Sequence, residues 1–125
     1  MARITLDDVR KIGMALPEVE ASTAYGAMAL KVGGKLLACQ AINKSAEPGS
    51  LMVRIDPEQR DALLAEAPQT YYLTDHYRPY PSVLVRLSRI GKGELRDLLA
   101  ASLRFITSES KKKPPAKKRK PASRA

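Results

Sequence analysis

Hydrophobic residues near the start of the chain recur at helical spacing. Thr5 is the predicted N-cap of this helix, and the two acidic residues after Leu6 lie where the helix dipole favours negative charge. Pro17 ends the helix, because the residue before a proline disfavours helical backbone angles. The apolar residues expected to form one buried stripe are Leu6, Val9, Ile12 and Leu16.

Apolar runs typical of β-strands follow this helix. Two of them flank Gly33-Gly34, a dipeptide that readily adopts the positive φ angles of a two-residue hairpin turn. The turn would make these two runs antiparallel neighbours, and a third run would extend the same meander. The predicted strands span about 27–32, 35–41, 51–55, 71–74 and 82–87.

Two further helices are predicted from their start signals. Asp56 is an acidic cap and Pro57 occupies the first helical position, so a helix begins there and ends before Pro68. Gly91 is the expected cap of the last helix. The buried face of that helix should comprise Leu95, Leu98, Leu99, Ser102 and Ile106.

The predicted element order is α-β-β-β-α-β-β-α. Hairpins in place of repeated βαβ units indicate an α+β fold, an antiparallel sheet with helices packed on one face. We expect one domain over residues 1–106. Residues 107–125 form a tail rich in Lys, Pro and Ala without large apolar residues, so we expect this tail to be disordered.

Composition narrows the class of protein. The chain has 125 residues, with no signal-peptide stretch and no apolar run that could span a membrane. A single cysteine, Cys39, cannot form an intramolecular disulfide, so a reducing, cytoplasmic setting is expected. One Cys and one His are too few for a structural zinc site, and no motif indicates a cofactor.

The formal net charge of +9 is distributed unevenly. Residues 107–125 carry +7, which leaves only +2 for the rest of the chain. Dense charge of one sign favours contact with a polyanion, and the alternative is a solubilising extension. The tail cations expected to bind phosphates are Lys111, Lys112, Lys113, Lys117, Lys118, Arg119 and Lys120.

Catalysis is not expected from the reactive residues. Cys39 lies in an alternating strand, where cysteine usually acts as a small buried hydrophobe. His76 and Asp75 are adjacent and would point to opposite faces of an extended segment, so His76 has no matched acid–base partner. A turn-capping role for His76 is the simpler interpretation, and we predict no catalytic and no metal-binding residues.

Arginine, lysine and tyrosine recur along the predicted strands and corners. One interpretation is a nucleic-acid surface, with cations on phosphates and aromatic rings on bases. The other is that the tyrosines fill the core and bond their hydroxyls at its rim. The candidate binding cations are Lys31, Lys35, Arg54, Arg78 and Arg86. The candidate recognition residues are Tyr25, His76, Tyr77 and Tyr80.

The chain resembles the MmcQ/YjbR family of small proteins. The matching stretches include Tyr25-Gly26, Asp56-Pro57-Glu58, and His76-Tyr77 followed by Tyr80-Pro81, and they cover nearly all of the predicted domain. The resemblance implies a CyaY-like (frataxin-like) α+β fold and a DNA-binding protein that acts through projecting β-hairpins. It does not extend to iron binding, because the first helix has few acids, nor does it cover the tail.

The sequence thus predicts a non-enzymatic nucleic-acid-binding protein of low sequence specificity, with DNA as partner and a monomer as the favoured state. The tail would supply most of the affinity. The alternative is a protein- or peptide-interaction module that uses the Tyr/His/Arg surface. An enzyme would require His76, Tyr80 and Arg86 to converge on one concave pocket.

Overall fold

A computed structural model describes residues 4–24 and 26–112 of the chain. The described residues form three helices and six strands. The helices are α1 (Leu6–Met14), α2 (Pro57–Glu66) and α3 (Lys92–Lys112). The strands are β1 (Val19–Ala24), β2 (Ala27–Val32), β3 (Lys35–Gln40), β4 (Ser50–Arg54), β5 (Tyr71–Tyr72) and β6 (Ser82–Arg86).

The six strands form one sheet in the spatial order β1-β2-β3-β4-β6-β5. Every neighbouring pair is antiparallel, so the predicted α+β class with an antiparallel sheet is confirmed. The hairpin at Gly33-Gly34 is confirmed as well, because both glycines have positive φ angles, 57° and 80°, and Val32 pairs with Lys35. Only glycine adopts such angles without steric strain.

The sequence pattern did not predict strand β1, so the predicted order of elements lacks one strand. β1 lies at the edge of the sheet and pairs with β2 alone. Its Glu20, Ala21, Ser22 and Thr23 are all exposed, and therefore no apolar alternation marks it in the sequence. An edge strand held by backbone hydrogen bonds to one neighbour needs little apolar surface of its own. The observed order is α-β-β-β-β-α-β-β-α.

Local capping explains where the first two helices begin. The Thr5 hydroxyl accepts a hydrogen bond from the Asp8 backbone N–H (3.1 Å), and the Asp8 carboxylate accepts one from the Thr5 N–H (3.0 Å). This capping box pairs two donors that a helix start would otherwise leave unpaired. Asp56 caps α2, with Pro57 at its first position. Both predicted starts are confirmed.

All three helices pack on the same face of the sheet. α1 contacts β1 and β2, α3 contacts β3 and β4, and α2 contacts β5 and β6. The main core between these layers includes Val9 of α1, Leu30 and Leu37 of the sheet, and Leu99 of α3, all fully buried. The five residues predicted for the inner face of α3 are buried too.

The last helix is longer than the sequence pattern predicted. α3 runs to Lys112, past the expected domain boundary at Ile106. Residues 107–112 hold few apolar side chains, so the hydrophobic period that located the helix fades before the helix ends. Residues 113–125 lie outside the described residues. No helix in the described part of the chain is long and apolar enough to cross a membrane.

Candidate binding groove on the open face of the sheet

The face of the sheet opposite the helices carries a second, smaller apolar cluster. Its buried members are Ala29, Cys39, Met52 and Leu84, one from each of the four central strands. No helix covers this cluster in residues 4–24 and 26–112. We call this side of the sheet the open face.

Two connecting segments cover part of the open face. Residues 41–49 join β3 to β4, and residues 73–81 join β5 to β6. The Tyr72 hydroxyl accepts a hydrogen bond from the Glu47 N–H (2.8 Å) and lies 2.5 Å from the Ser50 hydroxyl. Ser45 and Thr74 link the two segments through their hydroxyls at 2.9 Å. These bonds hold both segments against the sheet.

Arg86 fastens the first of these segments. Its Nε and Nη2 donate to the two carboxylate oxygens of Glu47 at 2.9 and 2.8 Å. Its Nη1 donates to the backbone carbonyls of Pro68 (3.0 Å) and Gln69 (3.2 Å), and its Cζ lies 4.3 Å from the centre of the Tyr72 ring. This hydrogen bonding lowers the pKa of Glu47 and raises that of Arg86.

A groove of about 900 Å³ remains between the two segments and the sheet. Leu36, Cys39 and Met52 form its apolar floor. Arg54 of β4 and Ser82 of β6 line it as a cross-strand pair. The rest of the wall comes from the two connecting segments, namely Ile42, Asn43, Lys44, His76, Tyr77, Tyr80 and Pro81, together with Gln40 at the end of β3.

The aromatic residues in the wall of the groove differ in their exposure and in their contacts. Tyr77 is partly buried, its hydroxyl accepts a 3.4 Å hydrogen bond from the Asn43 N–H, and burial raises its pKa. His76 meets the Tyr77 ring edge to face, with ring centres 4.8 Å apart. Tyr80 is 57% exposed, although its backbone is fixed by bonds to the carbonyl of Tyr77 and to Arg60. The groove therefore presents the exposed Tyr80 ring beside an edge-to-face pair of an exposed His76 and a partly buried Tyr77.

Cys39 is a buried residue of the floor, as predicted. Burial raises the pKa of its thiol, so the thiol is protonated at neutral pH, and a neutral thiol is a weak nucleophile. Among the described residues, no three His, Cys, Asp or Glu side chains are grouped to hold a metal ion.

The predicted candidates fall into two groups. Arg54, His76, Tyr77 and Tyr80 come together at the groove, although they are far apart in sequence. Arg86 is not among the residues that line the groove, and its guanidinium is held by Glu47 and by backbone carbonyls of Pro68 and Gln69. His76 and Tyr80 thus line the groove without Arg86, so the three residues that the enzyme interpretation requires do not all converge there.

The other predicted cations lie around the groove or beyond it. Lys31 pairs with Leu36 across β2 and β3, which places it on the open face. Lys35 is exposed at the hairpin. Arg78 is exposed and lies 3.8 Å from Asp75. Lys111 and Lys112 belong to the last turn of α3. Tyr25, Lys113, Lys117, Lys118, Arg119 and Lys120 lie outside the described residues.

The tyrosines support both earlier interpretations. Tyr71 is buried in the main core and its hydroxyl donates to the Glu94 carboxylate at 2.7 Å, while Tyr72 bonds at the rim as described above. Burial raises the pKa of Tyr71. These two tyrosines are structural, whereas Tyr80 is open to solvent.

Sequence reasoning missed several groove residues. Leu36, Ile42, Met52 and Ser82 were not candidates, yet all of them line it. The alternation of side chains along a strand places Met52 on the same face as Arg54, and Ser82 on the same face as Arg86. That signal was present in the sequence. Ile42 follows β3 in a connecting segment, where no periodicity applies.

Comparisons with known proteins agree with this architecture. The family model described as YjbR matches residues 14–105. An uncharacterized protein of Mycobacterium tuberculosis (Rv2570) and one of Mycobacterium bovis (Mb2600) are each 35% identical over 109 residues, covering 76% of this chain and 82% of the relative.

A solved structure shows the same fold. The crystal structure of Deinococcus radiodurans protein DR2400, a DUF419 domain, superposes with a TM-score of 0.70 at 24% sequence identity. The match covers 86% of this chain and 82% of that one.

Proposed function

We propose that this chain, which belongs to the YjbR family, is a non-enzymatic protein that binds nucleic acid, DNA above all, with low sequence specificity. One observation carries the proposal. Residues 107–125 hold a charge of +7, while residues 1–106 are nearly neutral at +2. Binding to phosphates releases condensed counterions, so a dense cationic segment binds any sequence of duplex DNA.

The described cations have a lesser role in this proposal. Lys31, Lys35, Arg54 and Arg78 would orient the domain on the duplex through contacts with phosphates. Arg86 is left out, because its donors are occupied by Glu47 and by backbone carbonyls. Because the domain is nearly neutral, its cations would orient the protein on the duplex and add little to the affinity for DNA.

The chemistry of the groove supports binding in place of catalysis. None of the described residues that line it is an Asp or Glu, so His76 has no carboxylate partner there. Burial raises the pKa of the Cys39 thiol. A protonated thiol and an imidazole without a carboxylate among the described groove residues do not form an activated nucleophile. The single cysteine also supports a reducing compartment such as the cytoplasm.

The test is the salt dependence of duplex binding by the full chain. Fluorescence anisotropy with two unrelated duplexes should give similar affinities and a steep fall of affinity with added KCl. A variant with Gln at Lys111, Lys112, Lys113, Lys117, Lys118, Arg119 and Lys120 should lose most of the affinity. The slope of log K against log salt should flatten by about 0.9 for each phosphate that the variant no longer neutralises.

The matched control keeps the charge and changes the order. A chain with residues 113–125 permuted carries the same cations, so its affinity and salt slope should equal those of the wild type. A loss of binding on permutation would show that the tail is read as a sequence. The proposal fails if the wild-type chain does not bind duplex DNA at low salt.

A further inference from the structure

The groove on the open face is chemically one-sided. Its floor is apolar, and Lys44 and Arg54, which line it, are both cations. No carboxylate lines it among the described residues. An anionic group would therefore be attracted to this groove.

A buried hydroxyl beside Arg54 has no hydrogen-bond partner among the described residues. This hydroxyl is the Oγ of Ser82, a residue that is 1% exposed. Ser82 lies directly across from Arg54 in the β4–β6 pair and lines the same groove. A buried hydroxyl without a hydrogen-bond partner is destabilising, so an acceptor placed beside Arg54 and Ser82 would relieve this cost.

The size and walls of the groove fit a small molecule. Its volume of about 900 Å³ lies within the roughly 300–1,000 Å³ of small-molecule sites, which are mostly apolar with a few polar groups. Ile42 and Tyr80 stand 52% and 57% exposed at its edge, where a bound apolar body would cover them. Tyr80 offers an open ring face or edge for a flat group.

The cationic tail of the chain is a poor occupant for this groove. Residues 113–125 hold no large apolar side chain to fill the floor, and their positive charge would be repelled by Arg54 and Lys44. The helix that leads to them, α3, packs on the opposite face of the sheet.

We propose that the groove binds a small organic carboxylate with an apolar, preferably aromatic, body. The carboxylate lies against the Arg54 guanidinium and accepts a hydrogen bond from the Ser82 hydroxyl, since a planar guanidinium matches a carboxylate with two parallel bonds. The body rests on Leu36 and Met52 and against Tyr80. This site needs neither the tail nor nucleic acid, so it goes beyond the proposed DNA binding.

Titration of the full chain with naphthoate, followed by nitrogen–proton NMR, tests the proposal. Amides of β3, β4 and the 73–81 segment should shift saturably, and naphthalenemethanol, which lacks the acid, should bind about tenfold more weakly or worse. Binding of the alcohol as tightly as naphthoate would overturn the role of the anion.

Two matched pairs of variants localise the site. Arg54→Gln should weaken naphthoate binding by about tenfold or more, whereas Arg78→Gln, the same change at an exposed site outside the groove lining, should leave it unchanged. Ile42→Ser should also weaken binding, and Met14→Ser, on α1, should not. Equal losses within either pair would overturn the site.

Two further outcomes separate this proposal from its competitors. The tail variant with seven Gln should bind naphthoate as the wild type does, so a failure of DNA binding leaves this result intact. Analytical sedimentation should give the same molecular mass in solution for the wild type and for Ile42→Ser. A dimer that Ile42→Ser dissociates would mean that a second copy occupies the groove, and AMP binding there more tightly than naphthoate would mean that it takes a nucleotide.

Discussion

Glu47 illustrates how much one side chain contributes to the shape of the open face. Its carboxylate pairs with Arg86 through two bonds, and its backbone N–H donates to the Tyr72 hydroxyl. Arg86 in turn donates to the carbonyls of Pro68 and Gln69, which follow α2, and its guanidinium lies over the Tyr72 ring. Planar two-bond pairs of this kind are better defined than ordinary surface ion pairs.

We expect Glu47→Gln to reduce stability in a pH-dependent way. Arg86 holds the pKa of Glu47 below its ordinary value of 4.5, so the ion pair stabilises the fold above that pH and is lost as pH falls through the folded pKa. Urea unfolding should therefore show a difference between wild type and variant at pH 7 that diminishes at acidic pH, below 4.5, as the Glu47 carboxylate is protonated.

A matched carboxylate serves as the control for this prediction. Asp75→Asn removes the acid of an ion pair that is longer, 3.8 Å, and far more exposed. Its effect on stability should be close to zero at both pH values, because exposed pairs contribute little. If the two variants behave alike, the Glu47–Arg86 pair does not hold the segment.

At the scale of the element, α1 depends on close contact with the sheet. Gly13 is buried in the helix, and its missing side chain makes room for Leu30 of β2. A methyl group at Gly13 would overlap Leu30 Cδ1 and crowd Leu30 Cγ at 3.3 Å. Leu30 is itself fully buried in the main core, so it has little freedom to move away.

We predict opposite effects for alanine at two helical glycines. Gly13→Ala should destabilise the protein by about 1–3 kcal/mol, because overpacking outweighs the gain in helix propensity. Gly93→Ala, in the first turn of α3, should stabilise it by about 0.5 kcal/mol, because the added carbon meets no described atom within 4 Å apart from its own helix backbone and chain neighbours. Chemical unfolding of both variants measures these changes, and stabilisation by Gly13→Ala would contradict the packing argument.

At the scale of the molecule, the sheet separates two unequal sides. The helix side holds the larger core, which joins all three helices to the strands. The open side has a cluster of four buried hydrophobic residues and a groove that solvent can enter. Apolar burial, and with it most of the stability of the fold, therefore lies on the helix side of the sheet.

Truncations on the two sides should differ accordingly. Leu99→Ala, at a fully buried site, should cost about 2–5 kcal/mol, because a closed cavity remains. Met52→Ala, on the groove floor, should cost only about 1–2 kcal/mol, since water can occupy the space that opens. Equal costs, measured by urea unfolding, would show that the open side is packed as firmly as the helix side.

Much of the fold was determined by the sequence alone. The starts of α1 and α2, the Gly33-Gly34 turn and the buried face of α3 depend on hydrogen bonds and side-chain spacing within a few residues. Interactions between residues that are close in sequence can be predicted from the order of polar and apolar residues. The family could be identified for the same reason, because its motifs are short and lie at these turns and helix starts.

Only the tertiary structure decided which residues meet. β1 was invisible because an exposed edge strand shows no apolar period, and its existence rests on pairing with β2. Arg54 and Ser82 are neighbours through strand register, and His76 and Tyr80 join them because residues 73–81 fold back over the sheet. Arg86 is the opposite case, because its side chain pairs with Glu47 and does not line the groove. Such contacts between distant segments have no local signature, and so the groove emerges only once the sheet is assembled.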